Sequence, residues 1–310
     1  MIKQGVLTFQ GRPIDTNLQS FGELRPSEGV VTDTKELRHR FQEDGYLYLP
    51  GYLNRELLLD ARREMLKALQ VLGYVDNTYP LMDGVSKMAH GVSAQSMRHL
   101  PKHNAPLLRA LYEGRMIEIY ERLLGGSIRH LDFTWCRIKP SGAESATTPH
   151  YDIVYMGRGT KNLCTSWTPL GDVPKEMGGL MILENSHRQE EIKATYGTMD
   201  VDAQCTNPPI AAEIASSEKD WRRHGTGTYA SDAIALQKRL NSRWLTTDYQ
   251  LGDLLIFSMY TLHASLDNQT NRLRLSTDTR YQLASEPVDE RWIGDNPIAH
   301  GPAAKKDLIC

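Results

Sequence analysis

Pro149-His150-Tyr151-Asp152-Ile153-Val154-Tyr155-Met156 is the stretch whose reading decides the fold. It places an imidazole and a carboxylate two residues apart, between a proline and an apolar run expected to be a buried strand over 150–156. On an extended segment, residues two apart point to the same side, so His150 and Asp152 can reach one ion. Taken alone, the triplet reads better as a loop histidine bonded to a nearby carboxylate. Its context changes that balance. Downstream, Leu251-Gly252-Asp253 turns into the apolar strand Leu254-Leu255-Ile256-Phe257, which runs on towards Leu262-His263-Ala264-Ser265. A second histidine thereby arrives at the rim of the same sheet, 113 residues after the first (263 − 150). That separation is what a jelly roll needs to bring early and late strands together. His263 by itself would read as a satisfied core histidine.

Two neutral imidazoles and one carboxylate can cap one face of a metal ion and leave three positions open. Zinc usually closes its shell with three or four N/S ligands, whereas this facial set is the donor pattern of non-haem Fe(II) oxygenases. The free positions accommodate a bidentate co-substrate and dioxygen. Arg274 stands eleven residues past His263 in Arg272-Leu273-Arg274-Leu275-Ser276. The strict alternation puts Arg274 and Ser276 on one layer and Leu273 and Leu275 on the other. A guanidinium with a hydroxyl two residues on forms a clamp for a carboxylate. Arg272 shares that face but borders the polar turn 267–271, so Arg274 is the better candidate. An ion pair of Arg274 with Asp278 or Glu184 explains the same residue equally well.

The 310 residues, 40% hydrophobic and 24% charged, fit one soluble globular domain, 1–310, with a sizeable core. A formal net charge of −2 gives no bulk electrostatic reason for a nucleic-acid partner. No stretch is long and apolar enough to span a bilayer, and the first residues lack the apolar run of a signal peptide. Cys136, Cys164, Cys205 and Cys310 are widely spaced. Reduced thiols in a cytoplasmic protein are expected. The expected partner is a small molecule; oligomeric state is not legible.

Along the chain, helices come first. The pattern predicts helices over 34–43 capped by Thr34, over 55–72 capped by Asn54, and over 105–124 capped by Asn104 and stopped at Gly125-Gly126. From about 129 the pattern becomes short strands: 130–138, 150–156, 163–170, 179–183, 253–259 and 272–282, separated by turn residues. An α+β fold follows, with N-terminal helices (about 30–128) packed on one sheet of a jelly-roll core (about 129–285). The stretch 196–244, partly helical over 229–240, reads as an insertion: a lid or substrate wall on one reading, a passive surface excursion on the other.

With these residues in hand, the chain resembles the phytanoyl-CoA dioxygenase family of Fe(II)/2-oxoglutarate oxygenases. The matching pieces are Phe41-Gln42-Glu43-Asp44-Gly45-Tyr46, Pro149-His150-Tyr151-Asp152, Gly178-Gly179-Leu180, Asn185-Ser186-His187-Arg188, Gly252-Asp253-Leu254-Leu255-Ile256-Phe257, His263 and Arg274. The likeness spans roughly 35–285, and it is the ordered set that is specific. It implies a double-stranded β-helix, cupin-like core, iron at His150, Asp152 and His263, and the distal carboxylate of 2-oxoglutarate on Arg274 with Ser276. It also implies co-substrate contacts for Trp167, Ser265 and Trp135, although core packing explains the two indoles too and is the stronger reading for Trp135. Arg137 and Lys139, beside Trp135, read better as a solvated face than as anion ligands. The implied reaction consumes 2-oxoglutarate and O2, releases succinate and CO2, and hydroxylates an aliphatic C–H. The carboxylate of Asp152 favours hydroxylation over halogenation, because halogenating relatives lack that ligand. A non-catalytic binding module on the same scaffold and a metal-dependent hydrolase are the competing readings. The substrate stays open among a small polar metabolite, a natural-product intermediate and an acyl thioester.

Overall fold

The structure is a computed structural model that describes residues 5–87, 98–142, 145–203, 227–300 and 304. Chain order runs β1 (Thr8–Phe9), β2 (Arg12–Pro13), β3 (Phe21–Glu23), α1 (Thr34–Asp44), β4 (Tyr46–Leu49), α2 (Arg55–Val71), α3 (Ala105–Tyr112), α4 (Arg115–Leu124), β5 (Ile128–His130) and β6 (Trp135–Lys139). There follow α5 (Ile153–Met156), β7 (Cys164–Pro169), β8 (Leu180–Leu183), α6 (Glu190–Ala194), α7 (Ala233–Arg239), β9 (Trp244–Thr246), β10 (Leu254–Ser258), β11 (His263–Ser265) and β12 (Arg274–Leu283).

Two sheets face each other. The larger has the order β4-β10-β7-β12-β5, with β6 also paired to β12; the smaller is β11-β8-β9-β3. All pairings are antiparallel except β3 with β9. This is the α+β jelly roll that the pattern of helices then strands predicts.

Period-2 alternation decides which face of the large sheet meets what. Leu47, Leu49, Leu254, Ile256, Leu275 and Tyr281 pack outward against Leu58, Met65, Leu69, Leu107, Leu111, Ile119 and Leu123 of the helices. The alternate residues Tyr46, Tyr48, Leu255, Phe257 and Trp167 point inward and meet Leu180, Ile182, Leu245 and Tyr249 of the small sheet. The helices thus cover one sheet only, as expected, and leave the space between the sheets for chemistry.

Several local expectations need correction. Asp33, not Thr34, caps α1, accepting from the amides of Lys35 and Glu36. The helix expected over 105–124 is broken at Gly114, whose φ of 52° no side-chain-bearing residue adopts easily. The expected strand 130–138 is interrupted between β5 and β6. The strand expected over 150–156 is a single extended residue followed by a helical turn: Asp152 is in the right-handed helical region and its carbonyl accepts from the amides of Tyr155 and Met156. The helix expected over 229–240 narrows to α7. Residues 204–226 of the 196–244 insertion lie outside the described residues.

Two motif pieces far apart in sequence meet at one structural joint. Gly45 caps α1 with a φ of 76°, and the His187 ring sits where its Cβ would be. His187 Nε2 also bonds Gln42 O (3.1 Å), and Arg188 donates to Glu43 O (2.7 Å). The Gly45 and His187 motifs therefore dock the helical layer onto the small-sheet loop. Gly45→Ala combines left-handed strain with overlap at His187 and should destabilise by about 2 kcal/mol. Denaturant unfolding of the variant would read this as a lower midpoint at unchanged slope.

Candidate active site

The backbone brings the two histidines together directly. His150 N donates to His263 O (3.1 Å) and His263 N donates to His150 O (3.2 Å), an isolated antiparallel bridge beside β11. Adjacent pairing holds the ring centroids 4.2 Å apart. Each Nδ1 is turned back to the main chain, His150 to Thr148 O (2.8 Å) and His263 to Thr261 O (3.0 Å). That fixes the tautomer and leaves both Nε2 atoms facing one point. Asp152 Oδ1 stands 3.9 Å from Nε2 of His150 and 3.7 Å from Nε2 of His263. One donor atom from each of the three residues lies within 4.8 Å of the others.

The electrostatics suit a divalent cation. Burial, then the neighbouring charge of His263, pulls His150 down to about 3; burial also lowers His263. Both imidazoles are therefore neutral, as ligands must be. Burial alone would raise the Asp152 carboxyl, but Arg280, His263, His150 and Thr165 together hold it well below the usual carboxylate range. Arg280 Nη2 (2.8 Å) and Thr165 Oγ1 (2.5 Å) both donate to Asp152 Oδ2, which leaves Oδ1 for the site. Two neutral nitrogens and one anionic oxygen, aimed by outer hydrogen bonds at one point, fit a ferrous ion with one face open.

The triad opens into a cavity of about 260 Å³ between the sheets. Its wall includes seven of the eight predicted site residues, His150, Asp152, His263, Arg274, Trp167, Ser265 and Trp135; Ser276 is not among the lining residues. Arg274 is buried and forms no ion pair among the described residues, so the pairing with Asp278 or Glu184 is not made; Glu184 pairs with Arg243 instead. Its Nη1 donates to Ser276 Oγ, and its Nε has no hydrogen-bond partner among the described residues. Burial lowers its guanidinium to about 10, against the opposing pull of the Asp278 charge. Trp167 lies with its ring 5.9 Å from that guanidinium. Trp135 stacks under Arg280 at 4.2 Å and packs on Phe133 and Trp292, so it is both core and cavity wall. Arg272 is exposed and lies before β12 begins.

The expected solvated face holds for Arg137, whose side chain is exposed, and fails for Lys139, which is buried. On β6, Trp135, Arg137 and Lys139 point between the sheets, because Cys136 and Ile138 go to the helical core. Lys139 lies directly opposite Arg274 in the β6–β12 register and is buried. It donates to Ser265 Oγ and Leu266 O, both at 2.6 Å. Burial, then the charge of Arg274, pushes its ammonium well below the ordinary lysine range. Ser265 Oγ also accepts from Thr147 N (2.9 Å), so its own hydrogen is left to donate into the cavity. Arg137 pairs with Asp278 through Nε (2.6 Å) and lines the cavity.

Sequence reasoning missed Thr165 and Arg280, and it named Lys139 and Asp278 without placing them at the cavity corner they occupy. Period 2 would have found two of them: counting on from Arg274 and Ser276 along the same strand reaches Asp278 and Arg280. Other candidates fall away from the site. His130 bonds Leu131 O and stacks on Tyr112, and His187 serves the α1 joint.

Comparisons with known proteins agree with this geometry. The model of the family "Phytanoyl-CoA dioxygenase" matches residues 41–276. The chain is 27% identical over 291 residues to a 1-deoxypentalenic acid 11-beta-hydroxylase of Streptomyces exfoliatus, covering 90% of this chain and 89% of that one. A protein of the same name from Streptomyces arenae is 25% identical over 306 residues, covering 93% of each. Among solved structures, EctD from S. alaskensis in its apoform superposes with a TM-score of 0.57 at 15% identity, covering 96% of this chain and 95% of that one. A non-heme alpha ketoglutarate dependent carbocyclase from nogalamycin biosynthesis gives 0.54 at 16% identity, covering 86% and 89%. These structural likenesses speak for the jelly-roll fold. The family match, extending over most of the chain and including all three metal-binding candidates, assigns the protein to the phytanoyl-CoA dioxygenase family of Fe(II)- and 2-oxoglutarate-dependent oxygenases.

Proposed function

We propose that His150, Asp152 and His263 hold the ferrous ion and that Arg274, Ser276, Lys139 and Ser265 hold the distal carboxylate of 2-oxoglutarate. The single observation carrying this reading is the convergence of three metal donors beside a buried guanidinium that forms no ion pair among the described residues. A bound Fe(II) supplies oxygen activation at the expense of 2-oxoglutarate, which leaves as succinate and CO2 while a substrate C–H becomes C–OH.

The protein's own part is placement and exclusion. Arg280 and Thr165 hold one oxygen of Asp152 and so aim the other. The Nδ1 bonds to Thr148 and Thr261 keep each ring from swinging. Arg274 offers a fork of donors to a planar carboxylate, and Lys139 and Ser265 add a cation and a hydroxyl to the same corner. Trp167 and Leu180 wall that corner with apolar surface and keep water from competing.

The primary substrate is a compact, largely apolar natural-product intermediate, hydroxylated at an aliphatic carbon. The acid hydroxylases among the relatives support this class. The small cavity argues against a bulky acyl thioester held entirely within it. Residues 1–310 act as one catalytic domain. The free, buried thiols of Cys136 and Cys164 support a reducing compartment, the cytoplasm.

Three measurements test the reading. Asp152→Ala should abolish oxygen-dependent succinate release; unchanged turnover would remove Asp152 from the ligand set. Arg274→Gln should weaken 2-oxoglutarate about a hundredfold in an anaerobic calorimetric titration, since a charge-assisted bidentate contact is lost. It should leave Mn(II) affinity nearly intact. Finally, two ordinary imidazoles would cost on the order of a hundredfold in metal affinity between pH 7.5 and 5.5, because each takes up a proton near 6.5. His150, lowered to about 3, takes up no proton in that window, and burial lowers His263 in the same direction. The Mn(II) dissociation constant should therefore rise by less than about tenfold across it.

A further inference from the structure

The stretch 289–300 lies beyond the residues matched by the family model, yet it reaches the cavity. A buried Arg291 anchors it. Arg291 binds Asp289 (2.9 and 2.5 Å), Asp200 (3.0 Å) and Asp202 (2.6 Å), tying this stretch to the start of the 196–244 insertion. On that anchor, His300 Nδ1 bonds Asp202 Oδ2 at 2.8 Å. A carboxylate only accepts, so Nδ1 carries the proton. Nε2, on the other side of the ring, has no hydrogen-bond partner among the described residues.

The His300 ring borders two cavities at once. One is the iron-side cavity; the other, a box of about 160 Å³, adjoins it and is lined by Arg98, Thr134 and Cys136 as well as Phe133, Trp135, Trp292 and Ala299. Trp135, Arg137 and His300 are common to both and form the threshold between them. One wall of the box is aromatic, its rings packed on each other: Trp135 and Trp292 centroids are 4.8 Å apart, Phe133 and Trp292 5.3 Å, and Trp292 meets the His300 ring edge-on at 4.7 Å. An apolar skeleton spanning the threshold would gain from burial against these rings and would pass the imidazole on its way to the metal.

We propose that His300, held by Asp202, determines substrate specificity: its Nε2 accepts a hydrogen bond from a hydroxyl group on a compact apolar substrate whose skeleton rests in the Trp135–Trp292 box. Burial lowers the pKa of His300, which favours the neutral ring with Nε2 as an acceptor and selects an O–H over an ether or a carboxylate. The inference rests on the dioxygenase site above, which places the metal on the far side of the same threshold.

The test uses anaerobic protein loaded with Fe(II) and 2-oxoglutarate and three rigid probes: 1-adamantanol, 1-methoxyadamantane and adamantane-1-carboxylate. Quenching of tryptophan fluorescence reads occupancy of the box. The alcohol should bind about fivefold to tenfold tighter than the ether, the worth of one neutral hydrogen bond. His300→Phe keeps the ring volume and should erase that preference while still binding the ether. Asp202→Asn should reduce the preference, because Nδ1–H no longer has a carboxylate to fix the tautomer. Equal binding of alcohol and ether, tightest binding of the carboxylate, no binding of any probe, or a preference that survives His300→Phe would each overturn the proposal. Failure of the dioxygenase reading would appear separately, as no 2-oxoglutarate binding by the wild-type protein.

Discussion

Two main-chain hydrogen bonds, exchanged between His150 and His263, hold the site together. They join residues 113 positions apart and set the two rings side by side before any metal is considered. Everything downstream inherits that registration: the Nδ1 contacts to Thr148 and Thr261, the approach of Asp152, and the position of Ser265 two residues beyond. Backbone pairing is a sturdy way to place metal ligands, because it does not depend on long flexible side chains finding each other.

The second determinant is one strand with two characters. On β12, Leu275 and Tyr281 join the helical core, while Arg274, Ser276, Asp278 and Arg280 line the inter-sheet space. A one-residue slip would send four polar groups into hydrocarbon and the apolar residues into the cavity. The helical layer therefore enforces the register on which the chemistry relies. Arg280 and Asp152 form a buried pair of the kind that is costly to break. The Arg280 Nε and Nη1 atoms have no hydrogen-bond partner, which suggests that its retention follows from orienting Asp152 more than from stability.

Much of this was legible from residue order. Type and spacing singled out His150, Asp152, His263 and Arg274, which the fold brings to one cavity, and the helices-then-strands pattern matches the architecture. What failed was local. Asp152 was expected on an extended strand, but the chain turns helical at that residue, and the tertiary bridge to His263 supplies the alignment that alternation was expected to supply. Lys139 and Arg137 looked like a solvated face because lysine and arginine usually are. Only the topology, which gives Cys136 and Ile138 to the helical core, shows that Lys139 is interior, while Arg137 keeps its exposure at the cavity's edge. No spacing rule links His300 to the triad; its place depends on the Arg291 anchor, a contact that pattern reading does not reach.

Lys139 and Arg274 face each other across one strand pair, and neither forms an ion pair among the described residues. Like charges set opposite each other in low dielectric oppose folding. On the reading proposed above, a dianionic co-substrate settling between them would also be a counter-ion of the interior, and the folded state would gain stability as the logarithm of its concentration once that exceeds the dissociation constant.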